Sequence, residues 1–175
     1  MIDQQLKATI RDIPDFPRKG VVFKDITPLL QHPELCNAIL DEFIARLDTL
    51  TIDVVAGIES RGFLFGLMLA NRLGVPFVPI RKQGKLPYLT VKEEYELEYG
   101  HAAIEIHRDA FPTGAHVLIH DDLLATGGTV SAASRLVQQL GGIIEGYAFI
   151  VTLTFLNGRK QLLPYSPNVI SLVDY

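Results

Sequence analysis

The sequence predicts an α/β fold: a mostly parallel, twisted, doubly wound sheet flanked by helices, with a mobile lid loop and a small N-terminal cap. Two observations predict it. Apolar runs such as "DVVAGI", "HVLIHD" and "GYAFIVTL" read as strands covered on both faces. Helical patterns separate these strands at intervals of roughly 20 to 25 residues, the spacing of βαβ units. A length of 175 residues suits one domain, so 1–175 is read as a single unit.

Residues 2–11 read as a short helix that ends before Pro14. The turn-rich "FPRKGVVFKDITPLL" carries a short strand at 21–23. Leu35, Ile39, Leu40, Phe43, Ile44 and Leu47 recur at helical spacing with Pro33 near the first turn, so 33–48 is a helix. "DVVAGI" (53–58) is a buried strand, "GFLFGLMLANRLG" (62–74) a helix closed by Gly74, and "PFVPI" (76–80) the next strand. The segment 81–100, "RKQGKLPYLTVKEEYELEYG", is charged and poor in core residues. A connection of that length in a compact domain predicts a lid. "AAIEIHRDAF" and "HVLIHD" are strands, "TVSAASRLVQQLGG" a helix ending at Gly141-Gly142, and "GYAFIVTL" and "NVISLVD" the last two strands.

Apolar residues make up 48% of the chain, which excludes a disordered polymer. Sixteen basic against twenty acidic residues, a net charge of −4, argue against nonspecific nucleic-acid binding. The N-terminus has no apolar signal core, and apolar runs such as "FLFGLMLA" are too short to span a bilayer, so no membrane partner is expected. Cys36, the single cysteine, cannot form an internal disulfide and sits in no zinc-ligand pattern. A reducing cytoplasm is the expected location.

Chemistry concentrates in "VLIHDDLLATGGT", 117–129. A glycine-rich loop follows a predicted parallel strand and opens a helix near Thr129. Free N–H groups and the helix dipole there favour an anion such as phosphate. Gly127 and Gly128 permit close backbone approach, and Thr126 and Thr129 add hydroxyl donors. The plainer reading is a strand-to-helix turn with Thr129 as its N-cap. Asp121 and Asp122 shift the balance. They stand at the carboxyl end of the strand, where open α/β sheets bind ligands, and a vicinal diol can donate to both. Ribose hydroxyls beside a 5′-phosphate would satisfy both halves. Neither G-x-x-x-x-G-K-[ST] nor G-x-G-x-x-G occurs, so the common nucleotide-binding loops are excluded.

This string resembles the phosphoribosyl-pyrophosphate (PRPP) motif of the type I phosphoribosyltransferases. With "FPRKGVVFKDITPLL", "ESRGFLFG", "RKQGKLP", "LEYG" and "IEIH", the resemblance spans nearly the whole chain and points to the adenine branch. It implies a purine salvage enzyme converting adenine and PRPP to AMP and diphosphate. Mg²⁺ would be carried mainly by PRPP and diphosphate, without a protein metal site, and the assembly would be a homodimer. Asp121 and Asp122 would hold the ribose hydroxyls, and Ala125, Thr126, Gly127, Gly128 and Thr129 the 5′-phosphate. Arg61 of "ESRG" would bind the leaving diphosphate through its planar fork. The family often carries a strained peptide here, at Glu59–Ser60. Arg81, Lys82 and Lys85 would neutralise the polyanion, although such a run alone reads as a solvated face. Val22, Phe23 and Lys24 would form the base-binding strand, Phe23 stacking on adenine where the plainer reading is core. In the lid, Glu98 would act as acid or base near the purine N7, and Tyr99 would help close the site.

Two rivals remain open at this stage: an enzyme for hypoxanthine, guanine or xanthine, and a PRPP-sensing regulator without turnover. His120 is an odd letter in a strand expected to be covered on both faces. It is read as a neutral core histidine bonded to backbone or water, in preference to a partner of Asp122.

Overall fold

The computed structural model describes residues 2–96 and 100–175. Along the chain run α1 (Ile2–Thr9), β1 (Arg11–Pro14), β2 (Val22–Asp25), α2 (Pro33–Leu47), β3 (Val54–Ile58), α3 (Gly62–Leu73) and β4 (Phe77–Lys82). Then come β5 (Thr90–Glu96), β6 (His101–His107), β7 (His116–Leu124), α4 (Gly128–Gln139), β8 (Ile143–Thr152), α5 (Gly158–Leu162) and β9 (Val169–Asp174). Seven strands form one sheet in the order β5-β6-β4-β3-β7-β8-β9. From β4 to β9 neighbours are parallel, while β6 and β5 add an antiparallel edge.

The central strands are mostly apolar because both faces are covered, with their polar residues gathered towards the strand ends and at His120. On β3, Val54, Ala56 and Ile58 join the core under α4, whereas Val55 joins the core under α1, α2 and α3. The α4 side presents Val130, Ala133, Leu136 and Val137 to that first core. Ile39, Leu40 and Phe43 of α2 meet Phe65 and Leu69 of α3 in the second. These i, i+3 and i, i+4 spacings are the helical signals visible in the sequence. The predicted N-terminal cap is α1 with the antiparallel ribbon β1–β2, registered from Arg11↔Asp25 to Pro14↔Val22.

The segment 81–100 departs from the expected loop. Seven of its residues form β5, paired with β6 from Thr90↔His107 to Glu96↔His101. The strand alternates: Val91 and Tyr95 pack on the core beneath α4, and Glu93 on the same face binds Arg135 Nε at 2.5 Å and Gln139 Nε2 at 2.6 Å. An inward carboxylate with two partners on a helix imitates a solvated face when only its charge is read. Helix α5 was also absent from the sequence reading, being a single turn with little periodicity. Strand β7 runs on through the acid pair to Leu124, where an apolar count stops at Asp121.

Candidate active site

Parallel strands deliver their carboxyl ends to one edge of the sheet, and the predicted site residues gather there. Glu59, Ser60 and Arg61 follow β3, Lys82 ends β4, and Asp121 and Asp122 lie on the last turns of β7. With Leu123 they line a small polar pocket of about 240 Å³. The Glu59–Ser60 peptide is cis. Helix α3 begins at Gly62 because nothing larger fits: a Cβ there would lie 3.0 Å from Asp121 Oδ1 and from the His120 carbonyl. That close approach brings Arg61 to the acid pair. Its Nε donates to Asp122 Oδ2 at 2.5 Å, and the Asp122 side chain is only 4% exposed. Asp121 Oδ1 accepts the Asp122 N–H at 2.8 Å. Burial, and then the adjacent Asp122 charge, push the Asp121 carboxyl well above the usual carboxylate range, while Arg61 pulls it back.

Beyond the acid pair the chain turns through Ala125 and Thr126. Gly127 adopts φ 89° as the residue before α4, and no side chain caps the helix. Thr129 is therefore inside the first turn and is not the N-cap that the plainer reading supposed. A Cβ on Gly127 would lie 2.9 Å from the Gly158 carbonyl, so the loop packs directly against α5. Thr126, Gly128 and Thr129 line a second, larger cavity of about 860 Å³, shared with Val22, Lys24, Tyr95, Leu153, Phe155 and Tyr175. Its apolar walls and single phosphate-like cradle suit a flat heterocycle joined to an anionic sugar.

The base-binding candidates split. Val22 is 49% exposed and lines the large cavity. Lys24 also lines it, but its ammonium is held by Asp12 at 2.7 Å and lies 3.8 Å over the Tyr175 ring. Phe23 lies edge-on to Phe16, with centroids 5.2 Å apart, and the Arg61 guanidinium sits 5.0 Å from its ring centre. Phe23 itself lines neither pocket and touches the small one only through Arg61.

Among the cations, Lys82 lines the small pocket. Arg81 and Lys85 line neither pocket; Arg81 Nε reaches Glu59 Oε2 at 3.2 Å, and the same oxygen accepts the Lys82 N–H at 2.7 Å. Glu98 and Tyr99 lie outside the described residues. Sequence reasoning missed Glu59 as an organiser of this loop, Gly62 as the contact that admits Arg61, and Gly158 and Tyr175 as neighbours of the cradle and cavity. Of these, only Gly62 carried a signal, as the invitation to close approach that follows an arginine at a strand end. His120 is fully buried as expected. The Ala148 backbone lies beside its ring, although no protein group among the described residues meets full hydrogen-bonding geometry with either nitrogen.

Residues 25–164 match the phosphoribosyl transferase domain. The chain is 52% identical to the adenine phosphoribosyltransferase of Cytophaga hutchinsonii, covering 100% of this chain and 97% of that protein. The crystal structure of adenine phosphoribosyltransferase from Thermoanaerobacter pseudethanolicus superposes with a TM-score of 0.96 at 50% identity, over 100% of both chains. The chain belongs to the adenine phosphoribosyltransferase family. Another member, the Saccharomyces cerevisiae enzyme complexed with an imino-altritol bisphosphate and adenine, superposes with a TM-score of 0.91 at 42% identity, over 98% of each chain. The phosphoribosyl transferase match takes in Arg61, the acid pair and the cradle but begins after Val22, Phe23 and Lys24. The adenine phosphoribosyltransferase relatives cover that strand as well.

Proposed function

We propose that this chain transfers the phosphoribosyl group of PRPP to N9 of adenine, releasing AMP and diphosphate in purine salvage. The observation that carries the reading is the end of β7, where one strand supplies a carboxylate pair to one pocket and an uncapped, glycine-turned helix start to the next. The two pockets suit the diphosphate on one face of C1′ and, on the other, the base together with the 5′-phosphate.

In the reaction the bond from C1′ to the diphosphate oxygen breaks and the bond from N9 to C1′ forms, through an oxocarbenium-like state. Asp121 and Asp122 accept hydrogen bonds from the 2′- and 3′-hydroxyls. The N–H groups of Gly128 and Thr129 and the two threonine hydroxyls hold the 5′-phosphate. Arg61 gives its Nε to Asp122 and directs its remaining guanidinium donors at the leaving diphosphate, beside Lys82. Val22 and Leu153 wall the base end of the large cavity, and Phe23 of the same strand stacks on adenine. Glu98 accepts the N7 proton that adenine loses as N9 bonds to C1′, and Tyr99 helps keep water from PRPP. Most of the rate comes from positioning the two substrates.

Mg²⁺ would arrive on PRPP, held mainly by phosphate oxygens and waters, with the Asp121–Asp122 pair of the small pocket beside it. Bound there, it would spread the charge of the diphosphate. We read 1–175 as one domain, because cap and both cores pack on one sheet. A homodimer is the assembly that the family resemblance implies. A cytoplasmic location is supported by the free, half-buried Cys36.

The test is to supply PRPP and Mg²⁺ with adenine, hypoxanthine, guanine or xanthine in turn. AMP formation far exceeding the other nucleotides supports the reading. Preference for a 6-oxopurine contradicts it, and binding of PRPP without any turnover would favour the regulator.

A further inference from the structure

Glu105 stands on β6 opposite Arg81 of β4 and Lys92 of β5, and is only 5% exposed. A carboxylate that deep needs donors. Its Oε1 accepts three consecutive backbone N–H groups, from Gly84 at 3.0 Å, Lys85 at 3.0 Å and Leu86 at 2.9 Å. The Thr90 hydroxyl donates to Oε2 at 3.4 Å. Burial pushes the Glu105 carboxyl up, but the three N–H groups and Thr90 outweigh it and hold the group below its usual range.

Those three amides belong to the turn of the cationic segment. The Lys85 carbonyl accepts Arg81 Nη1 at 3.4 Å, and Arg81 and the Lys82 N–H both reach Glu59. Contacts therefore run from Glu105 through the turn to Glu59, next to Ser60 and Arg61 in the small pocket. Lys82 and Lys85 are exposed, and their ammonium groups have no carboxylate partner among the described residues. Three like charges in five residues repel one another, so a buried anion behind the turn is what keeps their backbone in one place.

We propose that Glu105 is a positioning residue for the diphosphate end of PRPP. It touches no substrate; it fixes the 84–86 turn and so holds Lys82 at the small pocket, with the charges of Arg81 and Lys85 close behind it. The inference rests on the reaction proposed above. A carboxylate that merely holds the β5–β6 hairpin together would change stability and treat both substrates alike.

The experiment compares wild type, Glu105→Ala and Glu105→Gln, varying adenine and PRPP separately and using diphosphate as product inhibitor. Losing the charge-assisted bonds in Glu105→Ala should raise KM for PRPP and the inhibition constant of diphosphate roughly tenfold, with KM for adenine nearly unchanged. Glu105→Gln keeps an oxygen for the amides and should fall between. If the alanine variant does not fold, the glutamine variant is decisive through the same PRPP-selective rise. Equal rises for both substrates, or none in either, overturn the inference. Amide exchange at Gly84, Lys85 and Leu86 should quicken in the variants, and unchanged exchange also overturns it. A wild type that makes no AMP defeats the proposed reaction instead, while leaving the exchange result readable.

Discussion

His120 sits in the middle of β7 with its ring edge-on to Phe43, centroids 5.8 Å apart, and the Ala148 backbone as its nearest polar neighbour. Burial lowers its pKa to about 4, against the opposing pull of Asp122 and of the Ala148 backbone. In the unfolded chain the value is about 6.5. Between these values the unfolded chain binds a proton that the folded chain does not. Stability is therefore unaffected by this group above pH 6.5 and falls as pH drops from 6.5 towards 4. The full gap corresponds to roughly 3 kcal/mol, of which about 2 kcal/mol has been lost at pH 5. Replacing His120 by valine removes that loss. At pH 7.5 the variant also removes a buried polar ring held by at most one weak backbone bond, a gain of about 1–2 kcal/mol, and gives up ring packing of about 1 kcal/mol. Urea unfolding at pH 7.5, 6.0 and 5.0 measures both. The variant should equal or exceed wild type at pH 7.5, and its advantage should widen by about 2 kcal/mol at pH 5. Activity and its profile between pH 6 and 8 should not move. A constant or shrinking advantage on acidification refutes the buried, neutral assignment, and a shifted pH optimum would make His120 part of the site.

Other expectations follow from the same geometry. Asp121→Asn and Asp122→Asn should each raise KM for PRPP about tenfold or more in steady-state assays, because an amide donor then faces a hydroxyl donor; near wild-type efficiency in both would sink the diol assignment. Gly127→Ala combines φ 89° with a Cβ 2.9 Å from the Gly158 carbonyl. It should destabilise by about 1–2 kcal/mol and weaken AMP binding, and an unchanged melting temperature with and without AMP would contradict the tight loop. Phe23→Ala should raise KM for adenine more than KM for PRPP, with a base-stacking or supporting loss of about 1–3 kcal/mol; unchanged constants in a folded variant would make Phe23 plain core.

The parallel core was legible because a strand covered on both faces is largely apolar; β3 shows nothing else, and β8 departs from it only at Glu145 and Thr152. Helices α2, α3 and α4 announced themselves by periodicity. Strand β5 did not, because Lys92, Glu94 and Glu96 point outward and the inward Glu93 is balanced by Arg135, a partner 42 residues away. Glu105 was hidden for a similar reason. Between Ile104 and Ile106, both in one core, alternation makes it an outward residue, and only the folding-back of the 84–86 turn buries it. The acid pair and the cradle were readable from local order alone, since both lie within ten residues of one strand. That Asp122 would be tied to Arg61, and Lys24 to Asp12, depended on contacts between segments far apart in sequence.

The transfer itself is seen most directly by ³¹P NMR of the protein with Mg²⁺ and PRPP, recorded before and after adenine is added. PRPP should persist without the base, and on its addition AMP and diphosphate should appear together in equal amounts. Ribose 5-phosphate released regardless of adenine, or PRPP left intact after adenine is added, would contradict phosphoribosyl transfer at this site.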